Sequence, residues 1–182
     1  MHATAGIALL RGINVGRAKR IAMADLRALC ERLGFTGVRS VLNSGNLVFA
    51  SAPHAPREAA AAIEQALIDK LGLVSRVTVL SAQELAGVMA ANPLLAVATD
   101  HARLLAFMLA GAAPRDALAA LAARDWAPGA LAIGERAAYV WCPEGVLDSA
   151  VAAAVGKLLG DATTARNWNT LGKLHALCQA PE

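Results

Sequence analysis

Val38-Arg39-Ser40-Val41-Leu42-Asn43-Ser44-Gly45-Asn46-Leu47-Val48-Phe49-Ala50 decides the architecture of this chain. Val38–Leu42 and Leu47–Ala50 are short runs rich in branched and aromatic residues, and between them stand four residues that favour turns. The spacing predicts a β-hairpin. Upstream, Leu26, Leu29, Cys30 and Leu33 recur at i, i+3, i+4 and i+7 and are followed by Gly34, which predicts a helix and its stop. Further upstream, Ile7–Leu10 reads as a buried strand. Downstream, Pro56 opens a helix with Ile63, Leu67 and Leu71 on one stripe and Gly72 at its end, and a strand follows over Val74–Leu80. The order is strand-helix-strand-strand-helix-strand.

The order then returns. Ser81-x-x-Glu84 is a capping-box signature that opens a connecting helix carrying Leu85, Val88 and Met89, and Asn92-Pro93 stops it. Leu104–Leu109 is a strand, and Pro114 opens a helix with Leu118, Leu121 and Ala122 on one side. Leu131–Ile133 and Ala138–Cys142 flank Gly134-Glu135 as a second hairpin. Leu147, Val151, Val155, Leu158 and Leu159 predict another helix, Ala162–Ala165 a short strand, and Trp168–Cys178 a last helix. The expected fold is therefore α+β, with two tandem ferredoxin-like halves and a C-terminal helix. The expected boundaries are 1–80 for the first half, 81–102 for the connector helix and linker, and 103–182 for the second half with its C-terminal helix.

Composition agrees with a folded chain. Hydrophobic residues make up 57% of the 182, and although 44 of them are alanine, enough larger side chains remain for a core. The net charge of +3 is uneven: residues 1–39 hold seven basic groups and two acids, a net of +5, which favours anionic partners. Cys30, Cys142 and Cys178 are isolated, with no CxxC, as expected for reduced thiols in a cytosol. No stretch approaches the roughly 20 apolar residues of a membrane span, and the start lacks the basic and apolar regions of a signal peptide. A cytoplasmic protein with no membrane partner is expected.

Three polar clusters are candidates for function. Arg11-Gly12-Ile13-Asn14-Val15-Gly16 can turn successive N–H groups into an anion-holding concavity, with Arg11 adding a charge-assisted contact. It is neither a P-loop nor a dinucleotide fingerprint, and a purely structural glycine loop is the alternative. Asn43, Ser44 and Asn46 can orient a ligand or simply build the turn; no base accompanies Ser44 as a nucleophile would require. In a strand-helix-strand-strand unit the first two strands run parallel, so this hairpin shares one edge with the Arg11–Gly16 loop. Arg166, Asn167, Asn169 and Lys173 surround Trp168, which can stack a base or fill a core gap. His175 and Cys178 are three apart on a helix, but no second ligand pair accompanies them, and no metal is expected.

Ala8-Leu9-Leu10-Arg11-Gly12-Ile13-Asn14-Val15-Gly16, then Met23-x-x-Leu26-Arg27, Leu33-Gly34-Phe35, Ser44-Gly45-Asn46-x-Val48-Phe49 and Arg166-Asn167-Trp168-Asn169-Thr170-x-x-Lys173-Leu174 together resemble the bacterial domain-of-unknown-function 1697 family. The resemblance spans nearly the whole chain in order. It departs where Arg17 follows Gly16, since the family often has two glycines there. It departs again where Val41 and Leu42 precede the hairpin, since the family often has an aromatic residue. The resemblance implies two related α+β halves and supplies no activity, cofactor or catalytic residue. The expected function is binding of a small phosphate- or carboxylate-bearing ligand or a nucleotide by Arg11, Gly12, Asn14 and Gly16. Asn43, Ser44 and Asn46 would orient it, and Arg166, Asn167, Asn169 and Lys173 would complete the pocket if the halves bring them there. Whether the protein is an enzyme is left open. The alternatives are a phosphohydrolase resembling acylphosphatases, whose signature loop is absent, and a nucleic-acid-binding module, disfavoured by 4% aromatic content.

Overall fold

The computed structural model describes residues 5–15 and 20–179. The chain divides into two compact units, Met1–Ala86 with Lys173–Glu182, and Gly87–Gly172.

The first unit contains a four-stranded antiparallel sheet. Its strands are β1 (Gly6–Leu10), β2 (Arg39–Val41), β3 (Asn46–Phe49) and β4 (Val77–Ser81), in the order β2-β3-β1-β4. Strand β1 is central, pairing Ile7 with Val48 on one side and with Leu80 on the other. Helices α1 (Met23–Arg32) and α2 (Pro56–Leu71) connect strands across the sheet. Alternate strand residues Ala8, Leu10, Leu47, Phe49 and Val79 share one core with Leu26, Leu29 and Cys30 of α1 and Ile63 and Leu67 of α2. Each large apolar side chain so buried stabilises by about 1.5–3 kcal/mol. Phe35 and Phe49 meet edge to face at 5.1 Å. Pro56 stands at the start of α2 and Gly72 closes it in the left-handed conformation, as the spacing predicts. The strand expected from Val74 begins instead at Val77. Ser75 and Arg76 are occupied with Arg11: the Ser75 hydroxyl donates to the Arg11 carbonyl at 2.9 Å, and the Arg11 N–H donates to Arg76 O at 2.9 Å.

The second unit repeats the pattern with β5 (Leu104–Met108), β6 (Ala130–Ile133), β7 (Ala137–Trp141) and β8 (Ala165–Asn167), antiparallel in the order β6-β7-β5-β8. Its core joins Leu105, Phe107, Ala138 and Val140 to Val151, Val155 and Leu159 of α6 (Ala150–Leu159). Leu147 is 98% exposed and lies before α6, because Ser149 caps the helix by accepting from the Ala152 N–H at 3.2 Å. The helix expected from Pro114 is two short pieces, α4 (Ala112–Ala117) and α5 (Ala119–Ala122), with Leu118 buried at their junction. The strand expected from Ala162 begins instead at Ala165, after a 3₁₀ turn at Gly160–Ala162.

Two further helices cross the division between units. Helix α3 (Ala82–Ala90) follows β4, and α7 (Trp168–Gln179) follows β8. The capping box at the start of α3 is formed: Ser81 N–H donates to Glu84 Oε2 at 2.9 Å, and Glu84 N–H to Ser81 Oγ at 3.1 Å. No helix among the described residues is long and apolar enough to cross a membrane.

Candidate functional site

At the end of β1 the ladder continues one step into the hairpin, where the Leu10 N–H donates to Gly45 O at 2.8 Å. The chain then turns. Gly12 has φ +64 and is exposed, Ile13 is buried, and Asn14 has φ +55. Asn tolerates this left-handed conformation better than most residues, because its side chain bonds locally. Here Asn14 Oδ1 accepts from the Ile21 N–H at 2.9 Å, while Nδ2 donates to Ile21 O at 2.9 Å and to Asn43 O at 2.7 Å. One amide therefore clasps Ile21 on both its N–H and its carbonyl and ties it to the hairpin. Gly45 has φ +77, and a Cβ there would stand 2.6 Å from Ile13 Cδ1 and 2.8 Å from Leu10 Cβ. The hairpin and the loop fit against each other through that missing methyl.

Arg11, Gly12, Asn14, Asn43 and Ser44 thus gather along one edge of the first unit. Asn43 and Ser44 are exposed, and Arg11 is half-buried. Asn46 does not face solvent. It is fully buried, and its amide donates to Val41 O at 3.0 Å and to Ser44 Oγ at 2.9 Å, closing the turn from within. Gly16 lies outside the described residues. Ser75 and Arg76 brace the site and carry no sequence motif. Their partners are distant in the chain, and no periodicity marks them.

The third cluster belongs mainly to the second unit. Arg166 and Asn167 end β8, and Asn169 and Lys173 are exposed on α7. Arg166 Nη1 donates to Thr164 Oγ1 at 3.0 Å and to Ala165 O at 2.8 Å, and burial pushes its guanidinium down to about 10. Asn167 Oδ1 accepts from the Thr170 N–H at 2.9 Å and caps α7. Trp168 is buried and packs edge to face on Tyr139, ring centres 6.2 Å apart, so it fills a core gap. Lys173 is assigned to the first unit and the other three to the second.

A concavity of about 130 Å³ in the second unit is lined by Trp126–Gly129, Cys142–Gly145 and Asp148–Val151, and by none of these residues. Among the described residues no three His, Cys, Asp or Glu side chains gather to hold a metal ion. Cys30, Cys142 and Cys178 are free thiols. Burial pushes Cys30 up to about 12, with Glu31 adding to the effect, and burial also raises Cys142 and Cys178.

No curated protein matches the chain. The fold is similar to that of the conserved bacterial protein SP0830 from Streptococcus pneumoniae, with a TM-score of 0.80 and 22% identity, over 98% of this chain and 100% of that one. The model of the family described as "Protein of unknown function (DUF1697)" matches residues 3–139, and the chain belongs to that family.

Proposed function

We propose that this is a bacterial cytoplasmic protein of two tandem ferredoxin-like halves, bounded at residues 80 and 103. In this reading it binds a small phosphate- or carboxylate-bearing molecule, or a nucleotide, at the edge formed by the Arg11 loop and the Asn43–Asn46 hairpin. The strand orders β2-β3-β1-β4 and β6-β7-β5-β8 support the ferredoxin-like part of the reading. The observation that carries the functional part is the bond from Asn14 Nδ2 to Asn43 O, which holds two polar loops from distant sequence at one place. Gly12 and Asn14 both take left-handed backbone, and alternation of hand along a loop can turn backbone N–H groups toward one anion. Arg11 supplies the charged contact, and Asn43 and Ser44 supply exposed polar groups beside it. The net +5 of residues 1–39 favours an anion at this end.

The test is thermal unfolding of wild type and Arg11→Ala, each with a concentration series of inorganic phosphate and of nucleoside phosphates. A charge-assisted hydrogen bond is worth about 1.5–3 kcal/mol, so the variant should bind roughly tenfold more weakly or worse. Equal stabilisation of both proteins removes Arg11 from the site, and stabilisation of neither removes the site. Turnover of an acyl phosphate would redirect the reading to a phosphohydrolase. Nucleic-acid affinity that falls steeply with salt would redirect it to a nucleic-acid module.

A further inference from the structure

Two helix interiors carry the chain from one compact unit to the other. Helix α3 belongs to the first unit through Ala86 and to the second from Gly87, and α7 belongs to the second through Gly172 and to the first from Lys173. Each helix is tied at its beginning to one unit and at its end to the other. The start of α3 is held by the Ser81–Glu84 capping box and by the Ala82 N–H, which donates to Ala5 O at 2.8 Å. Beyond Gly87, the Val88 carbonyl accepts from the Tyr139 hydroxyl at 2.7 Å. The start of α7 is held by the Asn167 cap and by Trp168 against Tyr139. Beyond Gly172, Arg39 Nη2 donates to Leu177 O at 3.1 Å, and Cys178 Sγ lies 3.9 Å from Gly6 O. In both helices a glycine stands between the two ties.

Space does not require either glycine. A Cβ built at Gly87 or at Gly172 would meet nothing within 4 Å. Alanine would fit at both places and would strengthen the helix, since glycine weakens a helix interior through its backbone entropy. A helix bends most readily at such a point, and hinges are a few positions that absorb the change in backbone angles between rigid bodies. The remaining glycine within an α-helix of the described residues is Gly156 of α6. It lies inside the second unit, and a Cβ there would touch Phe107 Cε1 at 3.9 Å.

We propose that Gly87 and Gly172 form a paired hinge, one in each crossing helix, about which the two compact units reorient. Any such motion has to be taken up between the ties, because the ends of α3 and α7 move with the units that hold them. The pairing matters: a single stiff crossing helix would suppress the motion that the other allows.

Residual dipolar couplings of the backbone amides, measured on the full chain in a neutral alignment medium, give an alignment tensor for each unit. In wild type the two tensors should differ in magnitude, because the units reorient relative to one another. Gly87→Ala/Gly172→Ala should abolish that difference and give one tensor for the chain. Gly156→Ala should leave the wild-type difference in place. Thermal unfolding should show all variants folded and shifted upward in Tm, so that a gain in helix stability alone does not count as support. Equal tensors in wild type, a difference that persists in the double variant, or its loss in Gly156→Ala would each overturn the hinge.

Discussion

Asn14 shows how one side chain can decide a loop. Its three hydrogen bonds hold Ile21 and Asn43 of the hairpin together, while its backbone sits at φ +55. Replacing it by alanine removes the clasp and places an ordinary residue in the left-handed region, costing about 2–4 kcal/mol in all. Glycine removes the clasp without the backbone penalty, so Asn14→Gly should be the milder change, and urea unfolding of the pair separates the two effects. Cys30 makes a different statement, about pH. Its thiol is held up at about 12 in the fold, against 9.0 ordinarily, mainly by burial. Above pH 9 the unfolded chain gives up the proton and the folded chain keeps it. The resulting stability is complete below pH 9 and is lost as pH rises toward 12. Between pH 9 and 10, before Arg166 titrates at about 10 with the opposite sign, Cys30 should contribute a fall of about 1 kcal/mol, and the buried Cys142 and Cys178 act in the same direction. Cys30→Ala should make that part of a urea-stability profile shallower, with Cys142 and Cys178 supplying the slope that remains, and an unchanged slope would show that the thiol is not so held.

At the scale of elements, most of the order was readable from local pattern. The α1 stripe of Leu26, Leu29 and Cys30, the Pro56 and Gly72 ends of α2, and the Ser81–Glu84 box all rest on residues within a few positions of one another. The misses lie where a local signal competed with a partner far away. Leu147 continues the α6 stripe in sequence, yet the Ser149 cap starts the helix after it. Val74 reads as strand, yet Ser75 and Arg76 hold Arg11 instead of extending β4. The candidate site divides in the same way. That the Arg11 loop and the hairpin share an edge follows from strand order. The Asn14 clasp on Ile21 and the fit of Ile13 beneath Gly45 depend on contacts that no spacing encodes. Asn46 shows the cost of this ambiguity, because the residue types that orient ligands are also those that close turns.

For the whole molecule, the central question is whether two units with separate cores unfold as one. Leu26 belongs to the core of the first unit, and Val155 to that of the second. All three tryptophans, Trp126, Trp141 and Trp168, lie in the second unit, so their fluorescence reports that unit alone. Helices α3 and α7 nevertheless need both units, since each is tied to the first at one end and to the second at the other. Unfolding the first unit would release the start of α3 and the last turns of α7, and helices so short do not persist in water without their packing. Leu26→Ala should cost about 2–5 kcal/mol, which lowers Tm by on the order of 5–15 °C for a chain of this length. Tryptophan fluorescence should report the same shift as far-ultraviolet circular dichroism, although no tryptophan belongs to the altered unit. Coincident transitions are the mark of a single cooperative step. A fluorescence transition left at its wild-type temperature, beside a split dichroism curve, would mean that the shared helices do not couple the two cores. The second unit would then keep α3 and α7 folded from its own side of Gly87 and Gly172.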